Sequence, residues 1–196
     1  MKVRNICFVL FFLLCCACDP VTLLFGGTAA VGVVSVRNQE GISGSFSDTK
    51  LQTQINHALL KHDKNLFDKI ELCVKHGMVV VIGYVDDISQ KDMAMQTIKN
   101  VGNYKEIFDE ISVQPFPTAS DLANDSSITS KIKSSLLIDS NVQSLNYDIT
   151  TVKGIVYICG TAQSKFERDV VINSARTTFK VKKVVAYIKI NKGEKK

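Results

Sequence analysis

His57, His62 and His76 are the chain's three histidines, the residue type that most often holds a metal or works as a base near neutral pH. Their spacing argues against both roles. His57 and His62 stand five positions apart, which does not place them on one helical face for a shared metal. No nucleophile, base and orienting group fall into a catalytic pattern along the chain. Asp48 and Asp125 invite the same suspicion and have a simpler reading. Each precedes a helical pattern, where a carboxylate accepts hydrogen bonds from the free amides of a first turn. Gly26-Gly27 is not followed by the Lys-Ser or Lys-Thr of a phosphate loop, which leaves it as part of a flexible stretch. No catalytic residue, metal ligand or cofactor is expected.

The remaining chemistry belongs to cysteine and lysine. Four of the six cysteines lie in the first 18 residues. There Lys2 and Arg4 precede an uncharged apolar run, Ile6 to Leu14, that ends in Cys15-Cys16-Ala17-Cys18. That is the layout of a secretory signal, and the run falls short of the roughly 20 apolar residues that span a bilayer. The segment resembles a bacterial lipoprotein signal, which is removed to leave an N-terminal cysteine carrying acyl chains. Cys18, after the small Ala17, is the expected lipidation site, with Cys16 as the alternative. Cys73 and Cys159 remain. An oxidising compartment permits a disulfide between them, no paired spacing demands one, and two free thiols on the outer faces of their strands are expected.

What must position these groups is a duplication. Residues 48–113 repeat without a gap 77 positions later, as residues 125–190. Asp48 falls on Asp125, Ile55 on Ile132, Gly77 on Gly154, Val79 on Val156, Gly83 on Gly160 and Ile111 on Ile188. A fixed period with conserved apolar class and glycine position marks two copies of one module. The copies differ in charge. The first holds 8 Lys against 10 Asp and Glu, net −2, and the second 10 Lys and Arg against 5 acids, net +5. That asymmetry argues for an anionic partner at the second copy, and an exported protein meets membranes far more often than nucleic acid.

Each copy reads as helix, hairpin, helix and strand. Ile55 and Leu59, or Ile128, Ile132 and Leu136, recur at helical spacing. Ile70, Leu72 and Val74 then alternate with Glu71, Cys73 and Lys75 as a strand, and Tyr147, Ile149 and Thr151 repeat that set. His76-Gly77 and Lys153-Gly154 turn the chain into a second strand whose Val79, Val81 and Val85, or Val156, Ile158 and Ala162, face inward. Gly83 and Gly160 interrupt that strand, which marks a close neighbour, expected to be the helix that follows. That helix, 89–101 or 165–179, leads to a last strand, 105–113 or 182–190, expected to pair alongside the first. The fold class is α+β, two tandem α-β-β-α-β modules, each with two helices on a three-stranded mixed sheet. The expected layout is a lipoprotein signal over 1–18, a Gly/Ala-rich tether over 19–47, the first module over 48–114, a Pro-containing linker over 115–124, the second module over 125–191 and a Lys-rich tail over 192–196.

The strand pattern G-x-V-x-V/I-x-G, as Gly77-Met78-Val79-Val80-Val81-Ile82-Gly83 and Gly154-Ile155-Val156-Tyr157-Ile158-Cys159-Gly160, resembles that of the BON domain. Two such domains behind a lipoprotein signal resemble the dual-BON-domain, DolP-type lipoproteins of Gram-negative bacteria, and the likeness covers the whole mature chain. The resemblance implies phospholipid binding and maintenance of the outer envelope, without catalysis. It points to the first helix of the second domain as the lipid-facing surface, here Ser127, Lys131, Lys133, Ser134 and Leu137. Members with an aromatic at the position of Ser127 can push a ring between lipids, and serine cannot supply that insertion. The family's glycine-valine after the second helix is replaced by Asn103-Tyr104 and Lys180-Val181, and a lysine there must either accept strain or end the helix differently.

The expected protein is therefore a non-enzymatic periplasmic lipoprotein that binds anionic phospholipid through its basic second module and helps maintain the envelope. Its alternative is a protein-interaction scaffold supporting outer-membrane protein assembly or cell-wall remodelling. Anchoring in the outer membrane follows from the resemblance. Asp19, directly after the lipidation site, resembles the inner-membrane retention signal of enteric bacteria and leaves that membrane open.

Overall fold

The computed structural model describes residues 39–191. The signal, the lipidation site Cys18 and the Lys-rich tail lie outside the described residues. The first module consists of α1 (Gln39–His62), the short α2 (Lys64–Lys69), β1 (Ile70–Lys75), β2 (Met78–Val85), α3 (Ile88–Val101) and β3 (Glu106–Val113). The second consists of α4 (Ala119–Ile138), one 3-10 turn (Ser144–Asn146), β4 (Tyr147–Val152), β5 (Ile155–Ala162), α5 (Lys165–Thr177) and β6 (Lys183–Ile190). Two α-β-β-α-β units on three-stranded sheets are present, as the repeat requires.

Both opening helices begin earlier than the repeat suggests. Residues 39–47 of the expected tether are helical. Within the expected linker, Thr118 caps α4 in a reciprocal box with Asp121, so helix starts at Ala119. Asp48 and Asp125 thus stand inside helices and do not cap them. Each carboxylate reaches across to the hairpin instead. Asp48 accepts from the amides of His76 (2.6 Å) and Gly77 (2.8 Å), and Asp125 from those of Lys153 (2.6 Å) and Gly154 (2.8 Å). The cause lies in the turn. His76 and Gly77 have φ of 53° and 75°, Lys153 and Gly154 of 48° and 81°, the left-handed pair of a two-residue hairpin. Its amides point away from the ladder and need an acceptor. The same residue pair therefore joins helix to hairpin in both modules.

The strand order also differs from expectation. β2 is central, antiparallel to β1 and parallel to β3, and β5 is likewise flanked by β4 and β6. The third strand pairs with the second, not the first. Seven of the eight residues of β2 are buried, and a strand apolar on both faces belongs inside a sheet with both edges paired. The partly exposed β3, and β1 with Glu71 exposed and Lys75 only half-buried, suit the edges.

Gly83 and Gly160 do mark a close approach, but the neighbour is the chain entering the first strand rather than the following helix. A Cβ on Gly83 would lie 2.3 Å from the Lys69 carbonyl oxygen, and one on Gly160 2.5 Å from that of Asn146. Asn103 and Lys180 both adopt positive φ, 61° and 72°. The lysine accepts the strain.

Helix faces and inner sheet faces form one core per module. Ile55, Leu59, Val79, Val81 and Ile98 lie in the first, and Ile132, Leu136, Val156, Ile158 and Val171 in the second. A third cluster joins the modules, with Cys73, Met78, Val80 and Ile82 packing against Tyr157 and Cys159. The two sheets therefore meet through the faces that their helices leave open. Cys73 and Cys159 do lie on those faces as free thiols, and the partner sheet buries them.

Polar contacts across this seam show how the modules are related. Thr150 donates to Glu71 (2.8 Å), and the Cys73 thiol approaches Asp148 at 3.9 Å. Under the 77-residue shift Glu71 corresponds to Asp148 and Cys73 to Thr150, so these are one contact seen from either side. Glu110 corresponds to Tyr187, and the Tyr187 hydroxyl donates to Glu110. Burial and then this bond raise the Tyr187 hydroxyl above its usual range. Reciprocal contacts of this kind define a two-fold relation, the self-complementary geometry of a symmetric dimer, here within one chain.

Candidate functional site

α4 buries Asp125, Ile128, Ile132 and Leu136 along one stripe and turns the rest of its surface outward. All five residues picked from the sequence are exposed there: Ser127, Lys131, Lys133, Ser134 and Leu137. Ser127, Lys131 and Ser134 follow one another at helical spacing, and Lys133 and Leu137 form a parallel pair. The structure brings them onto one open helix surface, and Lys133 also borders a recess shared with Glu71, Tyr84 and Leu122. Among the described residues no cluster of three or more His, Cys, Asp or Glu could hold a metal. His57 and His62 are exposed on α1, and the His76 ring meets the Thr161 hydroxyl at 2.8 Å.

Further exposed apolar residues stand at and beyond the end of this helix. Leu137 is 70% exposed, Ile138 86%, Leu145 92% and Phe166 64%. Glu167 ties the segment after α4 to the start of α5. Its carboxylate, 3% exposed, accepts from the backbone amides of Gln143 (2.8 Å) and Gln163 (2.7 Å). That holds the 139–146 loop against the start of α5. Exposed apolar residues thus stand at the end of α4, in the segment that follows and at the start of α5, with Lys165 next to Phe166 in the chain, and Leu145 borders a recess with Asp48, Lys75 and His76 of the first module.

The first module provides an internal control. At the positions equivalent to Leu137, Ile138, Leu145 and Phe166 it carries Leu60, Lys61, Asp68 and Ser89, with Ile88 exposed beside Ser89. At the positions of Ile138, Leu145 and Phe166 the shared fold therefore does not demand an apolar residue. The signal was present in the sequence as a difference between the copies, which an inspection of their agreements passes over.

The opposite end of α4 is basic. Lys153, Lys180 and Lys182 line a recess of about 350 Å³ with Asp121, Asn124 and Asp125. Two of these ammonium groups are engaged within the protein, Lys153 with the Pro115 carbonyl (3.1 Å) and Lys180 with the Asn124 side chain (2.6 Å). The exposed lysines of α4 are the better placed to meet an outside anion.

A duplicated α-β-β-α-β chain, joined sheet to sheet and presenting its helices outward, is a tandem-module protein whose candidate site is an open helix surface. The family model of the BON domain matches residues 47–115 and 124–192, and the chain belongs to the BON-domain family. Among its relatives is an "uncharacterized protein in gshII 5′ region" of Anaplasma centrale, 32% identical over 146 residues, which are 74% of this chain and 95% of that one. The "osmotically-inducible protein Y" of Escherichia coli is 28% identical over 72% of each chain. The "outer membrane lipoprotein DolP" of Haemophilus influenzae is 24% identical over 84% of each. No helix among the described residues is long and apolar enough to cross a membrane.

Proposed function

We propose that this chain is a non-enzymatic envelope lipoprotein, anchored through Cys18, whose second BON domain docks on anionic phospholipid and supports envelope integrity. The observation that carries this reading is the set of exposed apolar residues Leu137, Ile138, Leu145 and Phe166 in the second module, with Lys131 and Lys133 on the same helix as Leu137, where the first module keeps only Leu60 as an apolar equivalent. The two features act together. Burying a Leu, Ile or Phe side chain is worth about 1.5–3 kcal/mol, and a lysine near an anionic surface adds up to ~1 kcal/mol before salt screening. Leu137, Ile138, Leu145 and Phe166 supply the insertion that Ser127 cannot. An outer membrane lipoprotein among the relatives, and another named for osmotic induction, support placement in the envelope and a part in withstanding envelope stress.

Flotation with lipid vesicles tests the reading. The chain should float with vesicles rich in anionic lipid and remain behind with purely zwitterionic ones. Exchanging Lys131 and Lys133 for glutamate reverses two contacts, each worth up to ~1 kcal/mol as an attraction, so affinity should fall on the order of tenfold, and most at low salt. Unchanged flotation of the charge-reversed chain would remove the lysines from the account. A protein partner that co-purifies equally with both forms would favour the scaffold function instead.

A further inference from the structure

The seam between the sheets places two thiols together. Cys73 in β1 and Cys159 in β5 belong to the same buried cluster, 4% and 1% exposed, and both are free. Cys73 comes within 3.9 Å of the Asp148 carboxylate, and Asp148 is the direct cross-strand partner of Cys159. A thiol of one module thus meets the strand pair that carries the other. We infer that Cys73 and Cys159 are a modification site, forming a disulfide that locks the two BON modules together across their shared sheet interface.

The two-fold relation sharpens this. Cys73 corresponds to Thr150 and Cys159 to Ile82, so the symmetry-related place holds a threonine and an isoleucine. The duplication alone does not produce a thiol pair at the seam. The inference rests on the export that the proposed function includes, and not on lipid binding.

The chemistry is thiol-disulfide exchange with a disulfide of the oxidising compartment as the acceptor. One protein thiolate attacks a sulfur of the acceptor disulfide, forms a mixed disulfide and expels the first acceptor thiolate. The other protein thiolate then displaces the second. Two protein thiols lose two electrons and two protons, and the acceptor becomes two thiols. Contact with Cys159, together with burial, holds the docked Cys73 thiol well above its ordinary range, which suppresses the thiolate. Exchange therefore proceeds while the modules are apart, and docking shields the finished bond.

The test uses the full chain refolded in reduced and oxidised glutathione, then alkylated under denaturing conditions and digested with trypsin. The expected product is one species in which the peptides 70–75 and 154–165 are joined. Dithiothreitol should release them. Against the reduced chain, the linked form should unfold roughly 5–10 °C higher, and the double variant C73S/C159S should show no response to oxidant. Quantitative alkylation of both thiols after oxidative refolding would overturn the inference. So would either cysteine ending as a stable glutathione adduct, or joined to a cysteine of the first 18 residues.

Discussion

Gly83→Ala and Gly160→Ala should each lower the stability of the chain by about 3 kcal/mol or more, the range of severe overpacking. At Gly83 the added carbon would stand 2.3 Å from the Lys69 carbonyl oxygen and 3.1 Å from the Ile70 Cα. At Gly160 it would stand 2.5 Å from the Asn146 carbonyl oxygen and 2.5 Å from Cδ1 of Tyr147. The Tyr147 ring can swing aside, but the carbonyl belongs to a chain entering a strand that is hydrogen-bonded in register, Tyr147 opposite Gly160 and Ile70 opposite Gly83. Relief requires the first two strands to part. Gly102→Ala isolates backbone strain from clash, since nothing lies within 4 Å of its Cβ position and only its φ of 66° with ψ of −160°, a conformation left almost wholly to glycine, resists, a cost of about 1–3 kcal/mol. Urea unfolding, comparing midpoints at constant slope, reads all three. A Gly83→Ala chain within 1 kcal/mol of its parent would show that the strand entry does not press on this glycine.

Asp125→Ala should cost roughly 3 kcal/mol, because it removes two hydrogen bonds to a charged acceptor, each worth ~1.5–3 kcal/mol, and strands the amides of Lys153 and Gly154. Asp125 is only 7% exposed, so water replaces the lost acceptor poorly. Asp48→Ala should cost less, since the His76 amide it serves is more exposed. Asp125→Asn should fall between parent and alanine, with one acceptor oxygen for two amides. A helix N-cap would respond differently, with a loss nearer 1 kcal/mol and full tolerance of asparagine. Chemical denaturation of the three variants separates the roles. Equal tolerance of asparagine and aspartate at 125 would return that residue to helix capping.

These two sets of residues also show what could be read from the chain before its structure. The gapless repeat, the inward faces of β2 and β5 and the buried stripe of α4 were legible because each rests on a local period. The roles of Asp48 and Asp125 were not. A carboxylate in front of an apolar stripe looks like a cap, and its real partners lie 28 and 29 positions away in a hairpin turn. The strand order and the neighbours of Gly83 and Gly160 failed similarly, since both depend on which strand becomes central. One clue was available. Met78-Val79-Val80-Val81-Ile82 is apolar on both faces, which demands cover on each side, and the second module supplies the missing cover. The exposure of Lys131, Lys133 and Leu137 followed from their place off the buried stripe of α4, whereas the tie between the 139–146 segment and α5 depends on Glu167, which no local period announces.

Packing sheet against sheet has a functional consequence. The two-fold seam uses the face of each sheet that lies away from its helices, so the helices of both modules remain on the outside. Equivalent surfaces are then presented twice, once acidic overall and once basic, and sequence divergence can assign them separate duties. The proposed assignment gives the bilayer to the second copy. Hydrogen exchange of the full chain, with and without anionic vesicles, tests it most directly. The account predicts slowed exchange in residues 137–146 and at the start of α5, with the equivalent residues 60–69 of the first module unchanged. Slowing in 60–69 while 137–146 exchange as in solution would contradict it.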